Sequence, residues 1–486
     1  MDLDHGACYR ALELRDVRFD GRFFIAVKTT GTYCRPVCPA RTPRPENVTF
    51  YPTAAAAQEA GFRPCLRCRP ETAPDKGAWR GTSNTVSRAL ALIELGALDE
   101  GSVDTLAGRL GLGERQLRRL CRQHLGASPI AVAQTRRVLL AKQLIHETSL
   151  PMAEVAFAAG FGSIRRFNET FAAMYGRAPR ALRRRRGAEI PVGPGGEINL
   201  LLRYQPPYDW PGMLEFLRLR AIPGIERVVA GCYARAIQLD GRQGMVSVRP
   251  AAGHALRATI RFPRLSALPG IIARLRRVFD LVADPGPISA HLAKDPALAP
   301  LVAARPGLRV PGAWDGFELA IRAVLGQQIS IAAAVHLAGR LVATHGELLA
   351  EPDRELTHVF PREEVLARAD LTTLGLPRSR AATLSAVAAA VVADPDVLCA
   401  SRGLDEAIER LRSIPGVDEW TAHHIALRQL REPDAFPAGD VGLVRALAHL
   451  EGRRRSSREL AARAERWRPW RAYAAQHLWA SLRRVG

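Results

Sequence analysis

The chain has 486 residues, is 47% hydrophobic and carries a formal net charge of +21. That length suggests roughly three or four domains, and the charge points to a polyanionic partner. Eight cysteines, with no basic-then-apolar leader at Met1-Asp2-Leu3-Asp4-His5 and no apolar run long enough to span a bilayer, argue against a secreted disulfide framework or a membrane protein.

In chain order, the first signal is a pair of pairs. Cys34-Arg35-Pro36-Val37-Cys38 and Cys65-Leu66-Arg67-Cys68 are separated by 26 residues. Each pair can place two sulfurs on one metal, and the loop between lets the pairs meet. Four thiolates in a tetrahedron suit Zn²⁺. Cys8, Cys121, Cys232 and Cys399 are isolated and read as inert. Most sites of this type are purely structural, but the flanking residues carry more. Thr29-Thr30-Gly31-Thr32-Tyr33-Cys34-Arg35-Pro36, then Glu46-Asn47-Val48-Thr49-Phe50-Tyr51, then Gly61-Phe62-Arg63-Pro64-Cys65 resemble the N-terminal domain of the Ada family, over nearly all of residues 8–72. The resemblance implies that Cys34 takes a methyl group irreversibly from a DNA methyl phosphotriester. It also implies that Thr30, Arg41, Arg63 and Arg67 contact the DNA backbone; Pro39 stands where a basic residue can occur. Zinc would keep the sulfurs deprotonated. Methylating one thiolate removes one negative charge from the cluster, so the modified protein is expected to bind DNA more tightly.

Residues 69–83 read as a linker, and then the chain repeats itself. Leu106-Ala107 and Gly111-Leu112-Gly113 recur as Val155-Ala156 and Gly160-Phe161-Gly162; Gly126-Ala127-Ser128-Pro129 recurs as Gly176-Arg177-Ala178-Pro179. Each block predicts helix, glycine turn, helix, joined by a long helix over 130–147. A helical bundle with solvated arginines is the bland alternative. The paired repeat resembles the AraC-type DNA-binding domain over 84–183, which implies two reading helices. Their expected faces are Glu114, Arg115, Arg118 and Arg119 in one, and Ser163, Arg165, Arg166 and Asn168 in the other. The basic run 183–186 reads as a phosphate contact.

Residues 187–197 are a Pro/Gly linker. Beyond it, Leu256, Ala258, Ile260 and Phe262 alternate with Arg257, Thr259 and Arg261, which predicts a half-buried strand, and Val246 and Val248 fit another. A small antiparallel sheet with a helix or two is expected over 198–285, and helices throughout after about residue 306. Near the end, Pro415-Gly416 is a turn signal between helical patterns at Ala407-Ile408 and at Ala422 onward. Such a helix-hairpin-helix, with Gly416 and Asp418 in it, offers backbone N–H groups to a DNA phosphate. Asp440 follows in a Pro/Gly-punctuated loop.

Tyr204-Gln205-Pro206-Pro207-Tyr208-Asp209-Trp210, Leu325-Gly326-Gln327-Gln328-Ile329-Ser330, Ile414-Pro415-Gly416 and Trp467-Arg468-Pro469-Trp470 resemble the AlkA-type 3-methyladenine DNA glycosylases over essentially all of 198–486. The resemblance implies excision of alkylated bases, Asp440 as the catalytic carboxylate, Trp420, Trp479 and Phe216 as base-pocket walls, and Gln328 as the wedge that fills the hole of a flipped base. His424 and Ala480 stand where aromatics are common, which opens the pocket. Asp418 replaces the second hairpin glycine and adds a carboxylate near the phosphate. Trp420 stands where lyase members carry lysine, so no Schiff base is expected. Asp434 and Asp418 are the weaker candidates for the anion. The residue-level alternatives are an N-cap for Asp440 and ordinary core packing for the aromatics. As a cap alone, Asp440→Asn would cost well under about 1 kcal/mol of stability.

The expected fold is therefore multidomain α+β: a four-cysteine zinc domain at 1–72, an all-α double helix-turn-helix domain at 84–186, an antiparallel-sheet subdomain at 198–285 and an all-α helix-hairpin-helix glycosylase domain at 286–486. Zn²⁺ is the expected metal, with no organic cofactor. Double-stranded DNA, alkylated or promoter, is the expected partner, and RNA polymerase a further one. The chain is expected to be a monomer, cytoplasmic and nucleoid-associated, with no membrane contact. The rival reading is a transcription regulator whose glycosylase-like part binds DNA without efficient catalysis.

Overall fold

The computed structural model describes residues 4–74, 84–99, 101–183, 197–353, 355–399, 403–453 and 456–482. Most of the linker at 187–197, part of that at 69–83, and all of the basic run except Arg183 lie outside these. Among the described residues, no helix is long and apolar enough to cross a membrane. The chain forms two compact units: residues 1–205, 251–273 and 281–283, and residues 206–250, 274–280 and 284–486.

The first unit begins with a four-stranded sheet in the order Val48–Tyr51, Phe24–Val27, Thr32–Cys34, Arg63–Pro64. Strand alternation sends Ile25 to one face, with Cys8, Leu12 and Phe23, and Phe24 to the other, with Tyr33, Ala54 and Ala57. The last strand joins in parallel, Tyr33 opposite Pro64. Each predicted helix-turn-helix forms: Val103–Arg109 with Glu114–Leu125, and Met152–Ala158 with Ile164–Tyr175. The repeated glycines have a physical reason. Gly126 and Gly176 end the second helix of each block at φ 71° and 62°, a left-handed conformation that glycine adopts without strain. Pro129–Glu147 links the blocks as one helix, capped by Ser128. Cys121 is core, packed with Leu117 and Leu125, and burial pushes its thiol up to about 11. Strand Ile198–Arg203 pairs antiparallel with Ala255–Arg261, and Gln143 and Glu147 of the linking helix bond the backbone of Leu201.

The second unit carries a meander of Glu226–Val229, Cys232–Leu239 and Arg242–Ala251, turned tightly at Ala230-Gly231 and Asp240-Gly241, all four at positive φ. Its centre is the helix Gly316–Leu325, almost wholly buried. Glu318 on that helix meets Arg235 (2.7 Å) and Arg322 (2.6 Å), and Arg322 also reaches Glu226, which ties strands to helix through buried charge. Among the described residues the rest is mainly helical, with a strand pair that the sequence did not announce. Glu347–Leu348 and His358–Val359 form a short antiparallel pair. Two-residue strands are too short for an alternation to register.

Candidate functional sites

The four-cysteine site follows from the sheet. The parallel register sets Cys34, last of its strand, beside Cys65, and Cys65 N donates to Tyr33 O at 2.9 Å. A turn at Arg35 brings Cys38 back, its N bonding Arg35 O at 3.1 Å. All four sulfurs lie within 4.8 Å of one another, and all four residues are buried. The backbone N–H groups of Arg35 and Arg67 point at Cys68 Sγ and Cys65 Sγ, each at 3.4 Å. An all-sulfur, buried, N–H-solvated cluster of this size fits a thiolate-held dication. Around it Thr30, Arg41, Arg63 and Arg67 are all exposed.

The cluster is anchored by groups that sequence reasoning missed. Lys142, on the linking helix and wholly buried, donates to Cys65 O at 3.3 Å and pairs with Glu71 at 2.9 Å. Arg69 reaches the same Glu71 at 2.9 Å. Burial alone would push the Glu71 carboxyl up, but Lys142 and Arg69 hold it below the usual range. On helices Glu114–Leu125 and Ile164–Tyr175, Arg115, Arg119, Arg165 and Arg166 are exposed, while Arg118 pairs with Glu114 and Arg165 with Glu169, one helical turn away in each case. Ser163 caps its helix by accepting from Arg166 N at 3.2 Å.

The second site centres on Asp440, in the second unit. It caps helix Val441–Glu451, its Oδ1 accepting from Leu443 N at 2.9 Å. Two indoles also converge on it: Trp420 Nε1 reaches Oδ2 at 2.8 Å and Trp479 Nε1 reaches Oδ1 at 2.9 Å. So the carboxylate is more than a cap. In Asp440→Asn an amide N–H would face an indole N–H or the Leu443 amide, so the sequence-based expectation of a small stability cost is too low. Roughly 1–3 kcal/mol is the scale for one unmet donor.

Trp420, His424 and Arg428 recur every four residues on helix Glu419–Arg428, and so share one face. His424 stacks on Trp420 (centroids 5.1 Å, 19°) and stands edge-on to Trp479 at 6.5 Å. Part of His424 reaches solvent, but its Nδ1 is enclosed without a partner. Burial, then Arg428 and Arg220, hold the imidazole well below its usual pKa. Phe216 is buried, with the guanidiniums of Arg220 and Arg428 at 4.0 Å and 4.5 Å from its centroid; Arg428 also lies 5.4 Å from Trp479. Arg428 was missed, though its spacing from Trp420 and His424 was visible. Ala480 is buried.

Asp434 does not join this site. Arg468 and Arg471 engage it, Arg471 at 2.8 Å, so it is spent on ion pairs. Asp418 caps helix Glu419–Arg428, accepting from Thr421 N at 2.7 Å. In the hairpin, Gly416 has φ 83°, and a Cβ there would lie 1.9 Å from Thr383 Oγ1, so only glycine fits. The amides of Gly416 and Asp418 meet no acceptor among the described residues. Gln328 is exposed at φ 57°.

Four families match in the order of these structures. Residues 7–71 match the metal binding domain of Ada, 106–185 a helix-turn-helix domain, 199–315 the AlkA N-terminal domain, and 321–472 the HhH-GPD superfamily of base excision DNA repair proteins. A Mycobacterium tuberculosis protein described as a probable bifunctional transcriptional activator/DNA repair enzyme AlkA is 44% identical over 99% of this chain and 97% of its own length. The chain belongs to this Ada–AlkA fusion family. It is a bifunctional DNA-repair and regulatory protein, combining a DNA glycosylase with a four-cysteine methyl-accepting and regulatory module. The DNA-3-methyladenine glycosylase 2 of Escherichia coli is 34% identical over 57% of this chain and 95% of that protein. The solved 3-methyladenine DNA glycosylase of Archaeoglobus fulgidus superposes with a TM-score of 0.54 at 24% identity, over 59% of this chain and 99% of that one, a likeness of fold.

Proposed function

We propose that the second unit excises alkylated purines such as 3-methyladenine from DNA by hydrolysis, with Asp440 as the catalytic anion. The observation that carries this is the convergence of Trp420, Trp479 and Leu443 N–H groups on one carboxylate. An N3- or N7-alkylated purine is already cationic, so it departs neutral when its bond to the sugar breaks, and no general acid is needed. What the reaction needs is a fixed negative charge near the sugar as it becomes oxocarbenium-like. The indole bonds hold that charge in place beforehand. Water then adds to the sugar carbon and loses its proton to solvent. Trp420, His424, Trp479 and Phe216 are the pocket for a base swung out of the stack. Gln328 fills the vacated space, and the free amides of Gly416 and Asp418 grip a phosphate.

In the first unit Cys34, Cys38, Cys65 and Cys68 are the ligands of a Zn²⁺ ion, which when bound would hold the sulfurs as thiolates. Cys34 Sγ takes the methyl of a phosphotriester: the sulfur–carbon bond forms, the carbon–oxygen bond breaks, and a phosphodiester anion leaves. Thr30, Arg41, Arg63 and Arg67 seat the DNA backbone. Arg115, Arg118, Arg119, Arg165 and Arg166 face promoter DNA, with RNA polymerase as a further partner of a monomeric, cytoplasmic protein. The functional divisions are 1–72, 84–186, 198–285 and 286–486.

Base release from methylated duplex tests the first reading. Asp440→Asn should retain DNA binding, since an anion facing phosphate is removed, and should lose roughly 10²-fold or more in excision rate, the scale for a preorganised electrostatic stabiliser. Near wild-type excision by the folded variant would overturn the role of Asp440.

A further inference from the structure

We infer that Gln327 is a positioning residue that couples the hairpin's grip on the DNA backbone to eversion of the base. The inference rests on the reading of Gln328 as wedge and of the Gly416 hairpin as phosphate clamp.

Gln327 and Gln328 are neighbours in the turn between helices Gly316–Leu325 and Ile331–His345, yet their circumstances are opposite. Gln328 is exposed and held at positive φ. Gln327 is fastened on two sides. Its Nε2 donates to Gly416 O at 3.3 Å and to Thr421 Oγ1 at 3.0 Å. Its own carbonyl accepts from Arg380, on helix Arg378–Ala393. A left-handed non-glycine residue persists only where its surroundings over-determine it. Here the fastening is the residue next to it.

The same side chain reaches into the hairpin. By holding the Gly416 carbonyl, Gln327 fixes the plane of the Gly416–Val417 peptide, on a loop already pressed against Thr383 of the Arg378–Ala393 helix. Val417 N is spent on Ile414 O at 3.1 Å. That leaves the Gly416 and Asp418 amides for a phosphate. Thr421, the other acceptor, follows Trp420, whose indole holds Asp440. One residue of the wedge turn therefore touches, through its side chain, both the clamp and the helix that carries the pocket wall. A phosphate drawn onto the hairpin loads Gln327, and Gln327 sets where Gln328 stands.

The test uses the full chain and duplexes carrying 2-aminopurine beside a stable abasic analogue, whose fluorescence rises on unstacking, together with single-turnover excision from methylated duplex. Gln327→Leu keeps the bulk and removes both donors. Thr421→Val keeps the shape and removes one acceptor. For Gln327→Leu, affinity for undamaged duplex should fall far less than excision, while the fluorescence rise is lost and excision falls roughly tenfold, the scale of a neutral hydrogen bond or two. Thr421→Val should show a smaller fall of the same kind, and it decides the matter if Gln327→Leu does not fold. Wild-type unstacking and excision in these variants would overturn the coupling. An equal fall in undamaged-duplex affinity would mark a merely structural role and overturn it too. Gln328→Ala separates the two levels: if it unstacks normally the wedge reading fails, whereas if it loses unstacking and Gln327→Leu does not, the coupling alone fails.

Discussion

Four sulfurs within 4.8 Å of one another and one carboxylate with three N–H donors are both concentrations of negative charge, but they are made tolerable by different means. The carboxylate is neutralised by dipoles: two indoles and a helix N-terminus supply partial positive charge, all of it already in the fold. Among the described residues the sulfurs have backbone N–H groups turned toward them, those of Arg35 and Arg67 and also of Ala40 and Cys68, but the nearby cations face other atoms. Lys142 bonds a carbonyl and a carboxylate, and Arg35 binds Asp20 and Cys68 O. A site built on fixed dipoles is complete when the chain folds. The four-sulfur cluster has instead the donor set and spacing to take a metal ion. The two reactions match this difference. On the proposed mechanisms one turns over with its charge unchanged, while the other would spend a charge on each event and so would report that the event occurred.

The largest effect should come from removing the metal from one site and reading both. Chelation, or Cys65→Ser, should abolish zinc binding and methyl acceptance at Cys34 while base excision persists. Metal analysis together with peptide mapping of labelled methyl checks the first, and base release the second. A parallel loss of excision would break the contrast, because it would make the dipole-held site depend on the cation as well. Methyl found on Cys38 would move the nucleophile.

Much of this contrast was legible in the sequence, for reasons that differ by residue. Cys34, Cys38, Cys65 and Cys68 announced themselves because a metal needs its ligands in close pairs. The helix-turn-helix repeat was legible because its turns need glycine at fixed places, Gly111, Gly126, Gly160 and Gly176, all at positive φ. Asp440 was legible through its place after the hairpin, but its two indole partners lie 20 and 39 residues away, and no local pattern joins them. Lys142 and Glu71 were not legible at all. They are separated by a linker and a whole helix-turn-helix, and each looks like a surface residue until the fold buries both. Asp434 looked like a spare catalytic acid because the sequence does not show that Arg468 and Arg471 fold back onto it.

The next effect follows from that hidden pair. Lys142→Met keeps the apolar stem but leaves Glu71 buried with Arg69 as its remaining close cation. Breaking a fully buried ion pair from one side costs about 3–5 kcal/mol. The melting transition of the first unit should fall accordingly, while the second unit, held by its own Glu318–Arg235–Arg322 network, should not move. Differential scanning calorimetry of the full chain reads both. A single transition shifting as a whole would show that the two units unfold together. Replacing Lys142 and Glu71 together by Met and Gln should restore most of the loss, since no uncompensated charge then remains.

The smallest effect concerns pH, and it sharpens the claim that the second site is finished by fixed dipoles alone. His424 stands between Trp420 and Trp479, where a cationic base is expected to sit, and a protonated imidazole there would repel that base. Burial, Arg428 and Arg220 all disfavour its charged form. Its folded pKa therefore lies below the unfolded value near 6.5. The folded protein binds fewer protons than the unfolded chain in that window. The stability this contributes is present above the unfolded pKa and declines as pH falls toward the folded one. For catalysis the expected consequence is that His424 stays uncharged where an ordinary histidine would titrate. Single-turnover excision of 3-methyladenine between about pH 6 and 8 should then show no inflection assignable to His424, and His424→Phe should give a profile of the same shape. A wild-type inflection near the ordinary histidine pKa that vanishes in His424→Phe would show that the pocket's charge is set by a titrating group, and the distinction between the two sites would narrow to the presence of a metal.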